Sequence, residues 1–120
     1  MEFNLKNKMF FNIKGSNTSK QVLLIHGWSH SSAVWDKVSD DLAKKYQVIT
    51  VDLLGHGNSE SPDYKGSLLR FISKNLFDLI KKENWDLHGI ISHSMGGLIA
   101  LNMAKHHSLS INKLMIIGTP

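Results

Sequence analysis

The chemistry in this chain starts from a serine set among small residues. Leu87-His88-Gly89-Ile90-Ile91-Ser92-His93-Ser94-Met95-Gly96-Gly97-Leu98-Ile99-Ala100 opens on an apolar run, Gly89 to Ile91, that reads as a buried strand. It passes through Ser94 into an apolar, Ala-bearing segment that reads as a helix. Strand, tight turn with a serine at its tip, then helix is a layout that lifts a hydroxyl clear of a sheet. The turn brings neighbouring backbone close together, so Ser92 and Gly96 must be small. Gly97, Ala100 and Ala104 let the helix lie close to the sheet. The positive end of that helix would sit beneath Ser94, and the Met95 amide would face a developing oxyanion. The chemistry implied is attack of the Ser94 hydroxyl on an acyl carbon. The competing reading is a serine that only caps a helix N-terminus.

Two further segments follow buried strands. Val22-Leu23-Leu24-Ile25 runs into His26-Gly27-Trp28, and Val48-Ile49-Thr50-Val51 runs into Asp52-Leu53-Leu54-Gly55-His56-Gly57-Asn58-Ser59. Glycine-rich loops after strands can cradle phosphate. Neither the G-K-[ST] ending of a P-loop nor a G-x-G-x-x-G fingerprint is present, so nucleotide binding is not indicated.

Ser92-His93-Ser94-Met95-Gly96-Gly97 resembles the nucleophile elbow of the α/β-hydrolase superfamily, with Ser92 where glycine is commoner. His26-Gly27-Trp28 stands where that superfamily places its oxyanion loop. The resemblance implies that the Trp28 amide joins that of Met95 as oxyanion donor, with Gly27 allowing the sharp turn and His26 structural. Asp52 to Ser59 is similar to the superfamily's D-x-x-G-x-G-x-S loop, where Asp52, Gly55 and Gly57 would organise the site rather than perform chemistry. The three motifs in this order cover the chain from about Phe10 onward and match the N-terminal half of a typical member. The wording Leu24-Ile25-His26-Gly27-Trp28, with Trp35 seven residues later, is most similar to small carboxylesterases such as the pimeloyl-acyl-carrier methyl ester esterases.

The resemblance implies a serine hydrolase that cleaves a carboxylic ester or thioester through an acyl-enzyme on Ser94, without cofactor or metal. A serine of this kind needs a histidine base and an orienting acid. No Asp or Glu follows Ser94, and the only later histidines are His106 and His107, roughly 18 Å along the helix at 1.5 Å per residue. The acid and base are therefore expected beyond Pro120, or not at all. His56 is weighed as a substitute base, His93 as a residue that packs facing away from Ser94, and His30 and His88 as loop or surface residues. Within the same fold a C–C hydrolase or lyase stays open, as does a non-catalytic binding protein that kept the elbow.

The elements that must position these groups can be placed coarsely. Residues 1–14 suggest one or two strands of a hairpin turning at Gly15-Ser16-Asn17. Ser31 or Ser32 can cap a helix with Trp35, Val38 and Leu42 on one face and Lys44 and Lys45 in its last turn. Pro62 and Gly66 punctuate a loop. Leu69, Ile72, Leu76, Leu79 and Ile80 then mark the apolar face of a second helix closed by Lys81 and Lys82. Leu114-Met115-Ile116-Ile117 is one more buried strand. Buried strands alternating with helices give the α/β class, a mostly parallel open sheet with helices on both faces. The expectation is one domain over residues 1–120, the N-terminal part of an α/β-hydrolase domain, stopping after about the sixth strand with later strands and cap absent.

Composition sets the outer bounds. The 120 residues are 42% hydrophobic and 20% charged, with a formal net charge of +4, ordinary for a soluble globular protein. The lysines are scattered and not interleaved with aromatics, which argues against nucleic acid. No apolar run approaches the roughly 18 residues of a membrane span. With no cysteine and no visible secretory leader, the expected location is cytoplasmic, and the expected partner a small-molecule ester or thioester.

Overall fold

In the computed structural model, residues 8–59 and 66–118 are described. Pro62, Thr119, Pro120 and residues 1–7 of the expected hairpin lie outside them. Strand β1 spans Phe10–Lys14, β2 Gln21–Ile25, β3 Gln47–Asp52, β4 Leu87–His93 and β5 Lys113–Ile117. A 3-10 turn, Ser32–Trp35, leads into α1, Asp36–Leu42; α2 is Leu68–Lys82 and α3 is Met95–His106.

The sheet order is β1-β3-β2-β4-β5. The pairs β2–β3, β2–β4 and β4–β5 are parallel, and β1 joins β3 antiparallel, Phe10 opposite Asp52. This corrects the hairpin expectation. β2 is already paired on both edges, so β1 cannot fold back onto it and takes the outer edge of β3. Among the described residues the sheet therefore has five strands.

The topology dictates where the helices lie. Parallel crossovers are right-handed, so reversing the direction of travel across the sheet moves the connecting helix to the other face. β2 to β3 runs one way; β3 to β4 and β4 to β5 run the other. Accordingly α2 and α3 pack together on one face, and α1 lies on the opposite one. Each central strand serves both faces by alternation: Leu23 and Ile25 join Ile72, Leu76, Ile80, Ile99 and Met103, whereas Val22 and Leu24 join Trp35 and Val48. That is why these strands read as unbroken apolar runs.

Helix α2 starts where the Ser67 hydroxyl accepts the Arg70 N–H, and it ends with Lys81 and Lys82 in its last turn. Its buried stripe of Ile72, Leu76 and Ile80 contributes about 1.5–3 kcal/mol per side chain. Trp35, in the 3-10 turn, and Leu42, at the end of the short α1, turn inward as expected, but Val38 is exposed and Lys44 and Lys45 fall beyond the helix. In α3, Gly97 and Ala100 are buried whereas Ala104 is exposed, and Met103 makes the inward contact. The expected burial of Leu114 to Ile117 is corrected: among the described residues β5 is an edge strand with no neighbour on its far side, and Met115, Ile116 and Ile117 are exposed.

Candidate active site

The loops at the C-terminal ends of β2 and β4 meet at Ser94, and the loop after β3 is bonded to the first of them. Ligand sites of open α/β sheets lie along this edge. Ser94 links β4 to α3 with φ 53° and ψ −122°, outside the regions a serine ordinarily occupies. Its side chain makes no cap hydrogen bond. Ser31 and Ser67, by contrast, are extended and do cap the elements they precede. The helix-cap reading of Ser94 is thereby set aside. Its amide donates to the Ile117 carbonyl at 2.9 Å, tying the bend to the end of β5. Met95 is the first residue of α3, so its N–H is among those a helix leaves without an internal acceptor.

Close approach explains the glycines. A Cβ on Gly27 would lie 2.9 Å from the Ser94 Cβ and 3.2 Å from both the His93 carbonyl oxygen and Nδ1. A Cβ on Gly96 would lie 2.5 Å from the Ile25 carbonyl oxygen and 2.8 Å from that of His26. The demand for smallness at position 96 thus comes from the end of β2, against which α3 is pressed. Ser92 is fully buried, and its hydroxyl points to the Met115 carbonyl at 3.3 Å. Trp28 is 52% exposed, with its ring edge-on to His56 at 4.8 Å.

The loops after β2 and β3 are cross-linked by two imidazoles. His26 bonds the Gly27 carbonyl through Nδ1 at 2.7 Å and accepts the Leu53 N–H at Nε2, 3.0 Å. His56 bonds the Leu54 carbonyl through Nδ1 at 3.1 Å and accepts the Ser29 N–H at Nε2, 3.0 Å. Backbone N–H only donates and carbonyl only accepts, so both rings are neutral with the proton on Nδ1. Each ring anchors to its own loop and receives a donor from the other. Burial lowers the His26 pKa, against a smaller upward pull from the Gly27 carbonyl. With both ring nitrogens committed, neither His26 nor His56 is free to take a proton from Ser94.

Asp52 supports the same junction. Its buried carboxylate accepts the N–H of Ser32 at 2.6 Å and of Asn58 at 2.9 Å. Burial alone would raise its pKa; the Asn58 and Ser32 hydrogen bonds outweigh that and hold it below the usual carboxylate value. Gly57, at φ 51°, folds directly over this carboxylate. The Ser59 hydroxyl closes the loop by donating to the Asp52 carbonyl, and it accepts the Phe10 N–H at 2.6 Å. Gly55 also has positive φ, 82°.

The remaining histidines separate by place. His93 packs between Gly27 and Gly118, its ring 5.7 Å from that of the exposed His30. His88 stacks on Tyr46 at 6.3 Å. His106 and His107 end α3, with His107 stacked on Phe77. Among the described residues, no three His, Asp or Glu gather as a metal site, and no helix is long and apolar enough to cross a membrane. Sequence reasoning missed Ser29 and the bridging role of His56; a positive φ at Ser29 (64°) leaves no mark in composition or periodicity.

A mostly parallel sheet with helices on both faces and a strained serine between strand and helix defines an α/β hydrolase. The family model for the alpha/beta hydrolase fold matches residues 20–120, and the chain belongs to that family. It is 37% identical over 102 residues to the 2-hydroxy-6-oxo-6-(2'-aminophenyl)hexa-2,4-dienoic acid hydrolase of Metapseudomonas resinovorans, covering 82% of this chain and 35% of that protein. It is 31% identical over 104 residues to the pimeloyl-[acyl-carrier protein] methyl ester esterase of Vibrio cholerae, covering 87% and 38%. Among solved structures, a marine microorganism esterase superposes with a TM-score of 0.81 at 28% identity, covering 91% of this chain and 41% of that one. The chain spans 31–42% of the length of the curated relatives it matches.

Proposed function

We propose that this chain carries the nucleophile and the oxyanion donors of a serine hydrolase acting on a carboxylic ester or thioester. The observation that carries the reading is Ser94 itself, held at φ 53° between β4 and α3 without the cap bond that would give it a structural task. In the first step the Ser94 Oγ bonds to the acyl carbon, its proton passes to a base, and the carbonyl electrons collect on an oxyanion. The amides of Met95 and Trp28 donate to that oxygen; the first is supported by its place at the head of α3, the second by the contact of Gly27 with Ser94. Collapse expels the alcohol or thiol, which leaves with the proton, and water then releases the acid by the reverse sequence.

The base and its orienting acid are proposed to come from the further length that the relatives possess. His26 and His56 are spent on backbone hydrogen bonds, and His106 and His107 sit at the far end of α3. The 120 residues alone are expected to show no appreciable turnover. A second reading, hydrolysis of a C–C bond on the same framework, is favoured by the similarity to the hexa-2,4-dienoic acid hydrolase.

The test is labelling of the full-length protein with a fluorophosphonate, followed by peptide mapping, and assay of Ser94→Ala on p-nitrophenyl esters and on a vinylogous 1,5-diketone. Adduct on Ser94 with loss of ester turnover supports the first reading, and turnover of the diketone alone supports the second. Esterase activity that survives in Ser94→Ala removes the first, and diketone turnover that survives there removes the second. Absence of both labelling and turnover in a folded protein favours the non-catalytic alternative.

A further inference from the structure

Resting on the reading of Ser94 as nucleophile and Trp28 as oxyanion donor, we propose that His56 is a positioning residue of that reaction. Its Nε2, accepting the Ser29 N–H at 3.0 Å, holds the turn that carries Trp28 in its working shape.

Gly27 to His30 form a four-residue turn closed by the His30 N–H on the Gly27 carbonyl at 3.3 Å. Ser29, its third residue, has φ 64°, and Trp28, its second, is not at positive φ. That is the sign pattern of a type II turn, which normally has glycine or asparagine in the third position. Types I and II differ by a flip of the central peptide, here the one joining Trp28 to Ser29. A serine left to local preference favours type I, where its φ stays negative. Something outside the turn must therefore hold the flip, and the donor on that central peptide is the Ser29 N–H taken by His56.

The acceptor is itself fixed. Nδ1–H of His56 bonds the Leu54 carbonyl, its own amide bonds the Leu53 carbonyl at 2.9 Å, and its buried ring lies between those of His26 and Trp28. One hydrogen bond and one left-handed serine are opposing effects of the same order. Removing the acceptor is thus enough to release the turn. The Trp28 N–H belongs to the preceding peptide, which the flip itself does not turn; what it loses is the rigidity of the turn that holds it, next to the contact of Gly27 with the Ser94 Cβ.

The experiment uses the full-length protein. In the unsubstituted protein a 15N–15N coupling across the Ser29 N–H to His56 Nε2 hydrogen bond is expected, and its absence overturns the latch. Fluorophosphonate labelling of Ser94 reads the oxyanion donors directly, since the phosphonyl oxygen takes the oxyanion's place. His56→Asn and His56→Phe are expected to slow labelling and lower kcat by about 10–100-fold, with KM within about twofold. His56→Gln, which returns an acceptor near the Nε2 position, is expected to recover most of the rate. Ser29→Gly in the His56→Asn background is expected to recover it too, because glycine adopts the turn unaided. Unchanged labelling in His56→Asn and His56→Phe, a loss confined to KM, or no recovery from either Gln or Ser29→Gly overturns the proposal. If Ser94 of the unsubstituted protein is not labelled at all, it is the nucleophile reading that falls, and the coupling still decides whether the latch exists.

Discussion

The Ser94 Cβ lies 2.9 Å from the point where a side chain on Gly27 would begin, closer than real Cβ atoms come to one another. Gly27 has no positive φ, so glycine is required there by contact rather than by backbone conformation. Gly27→Ala therefore drives the loop after β2 and the Ser94 bend apart. The expected cost is about 1–3 kcal/mol of stability. Labelling of Ser94 in the full-length protein is expected to fall by about 100–1000-fold, the scale of a lost oxyanion donor. Thermal denaturation and labelling rate check the two separately, and a Gly27→Ala protein that labels at the normal rate contradicts the contact.

Gly96 makes a different demand. Its missing side chain would strike the carbonyls of Ile25 and His26, backbone at the end of a strand hydrogen-bonded on both edges. Nothing there can swing aside. Gly96→Ala is expected to destabilise the fold by about 2–3 kcal/mol, the upper part of the overpacking range, although alanine favours helix. Urea denaturation measures it. A neutral or stabilising result would mean that α3 can lift off β2 freely.

The pH dependence of stability follows in part from His26 and Asp52, two of the buried titratable groups at the loop junction. Burial depresses the His26 pKa in the folded state, so the unfolded chain takes up a proton near its ordinary value of about 6.5 while the folded one does not. Stability is therefore expected to fall as pH drops below about 6.5 and to stop falling once the folded pKa is passed. Asp52, also depressed in the folded state despite burial, adds stability that is full above about pH 4 and is lost as pH falls through its folded value. Urea titrations from pH 8 to 3 should show two descending arms. His26→Asn should flatten the upper arm and Asp52→Asn the lower; a profile that neither variant alters would rule out this assignment.

The central strands β2, β3 and β4 were legible because a sheet buried on both faces leaves unbroken apolar runs, and the Ser94 bend because small residues crowd it. Less legible was whatever depends on partners distant in sequence. β1 pairs with β3 rather than β2 because β2 has no vacant edge, a fact of the assembled sheet. Val38 and Ala104 fit a helical period yet face solvent, since α1 is only seven residues long and α3 turns its Ile99 and Met103 side inward. The exchange between His26 and His56 joins residues 27 positions apart through backbone groups, which carry no sequence signal. Both histidines could be found in the motifs; their reciprocity could not.

Ser94 holds a backbone conformation that serves its exposure and not its stability. At φ 53° and ψ −122° a residue with a Cβ pays strain of about 1–3 kcal/mol, and glycine escapes most of it. Ser94→Gly is therefore expected to stabilise the folded protein by about 1 kcal/mol, after allowance for the greater freedom of glycine in the unfolded chain. That raises Tm by a few degrees. Ser94→Ala removes the same hydroxyl but keeps the Cβ, so its Tm should stay close to that of the unsubstituted protein. Both variants lose the hydroxyl, and fluorophosphonate labelling should vanish in each. The order of melting temperatures then separates strain from chemistry: glycine above serine and alanine means that the bend stores energy to present the hydroxyl. Glycine at or below alanine means that it does not.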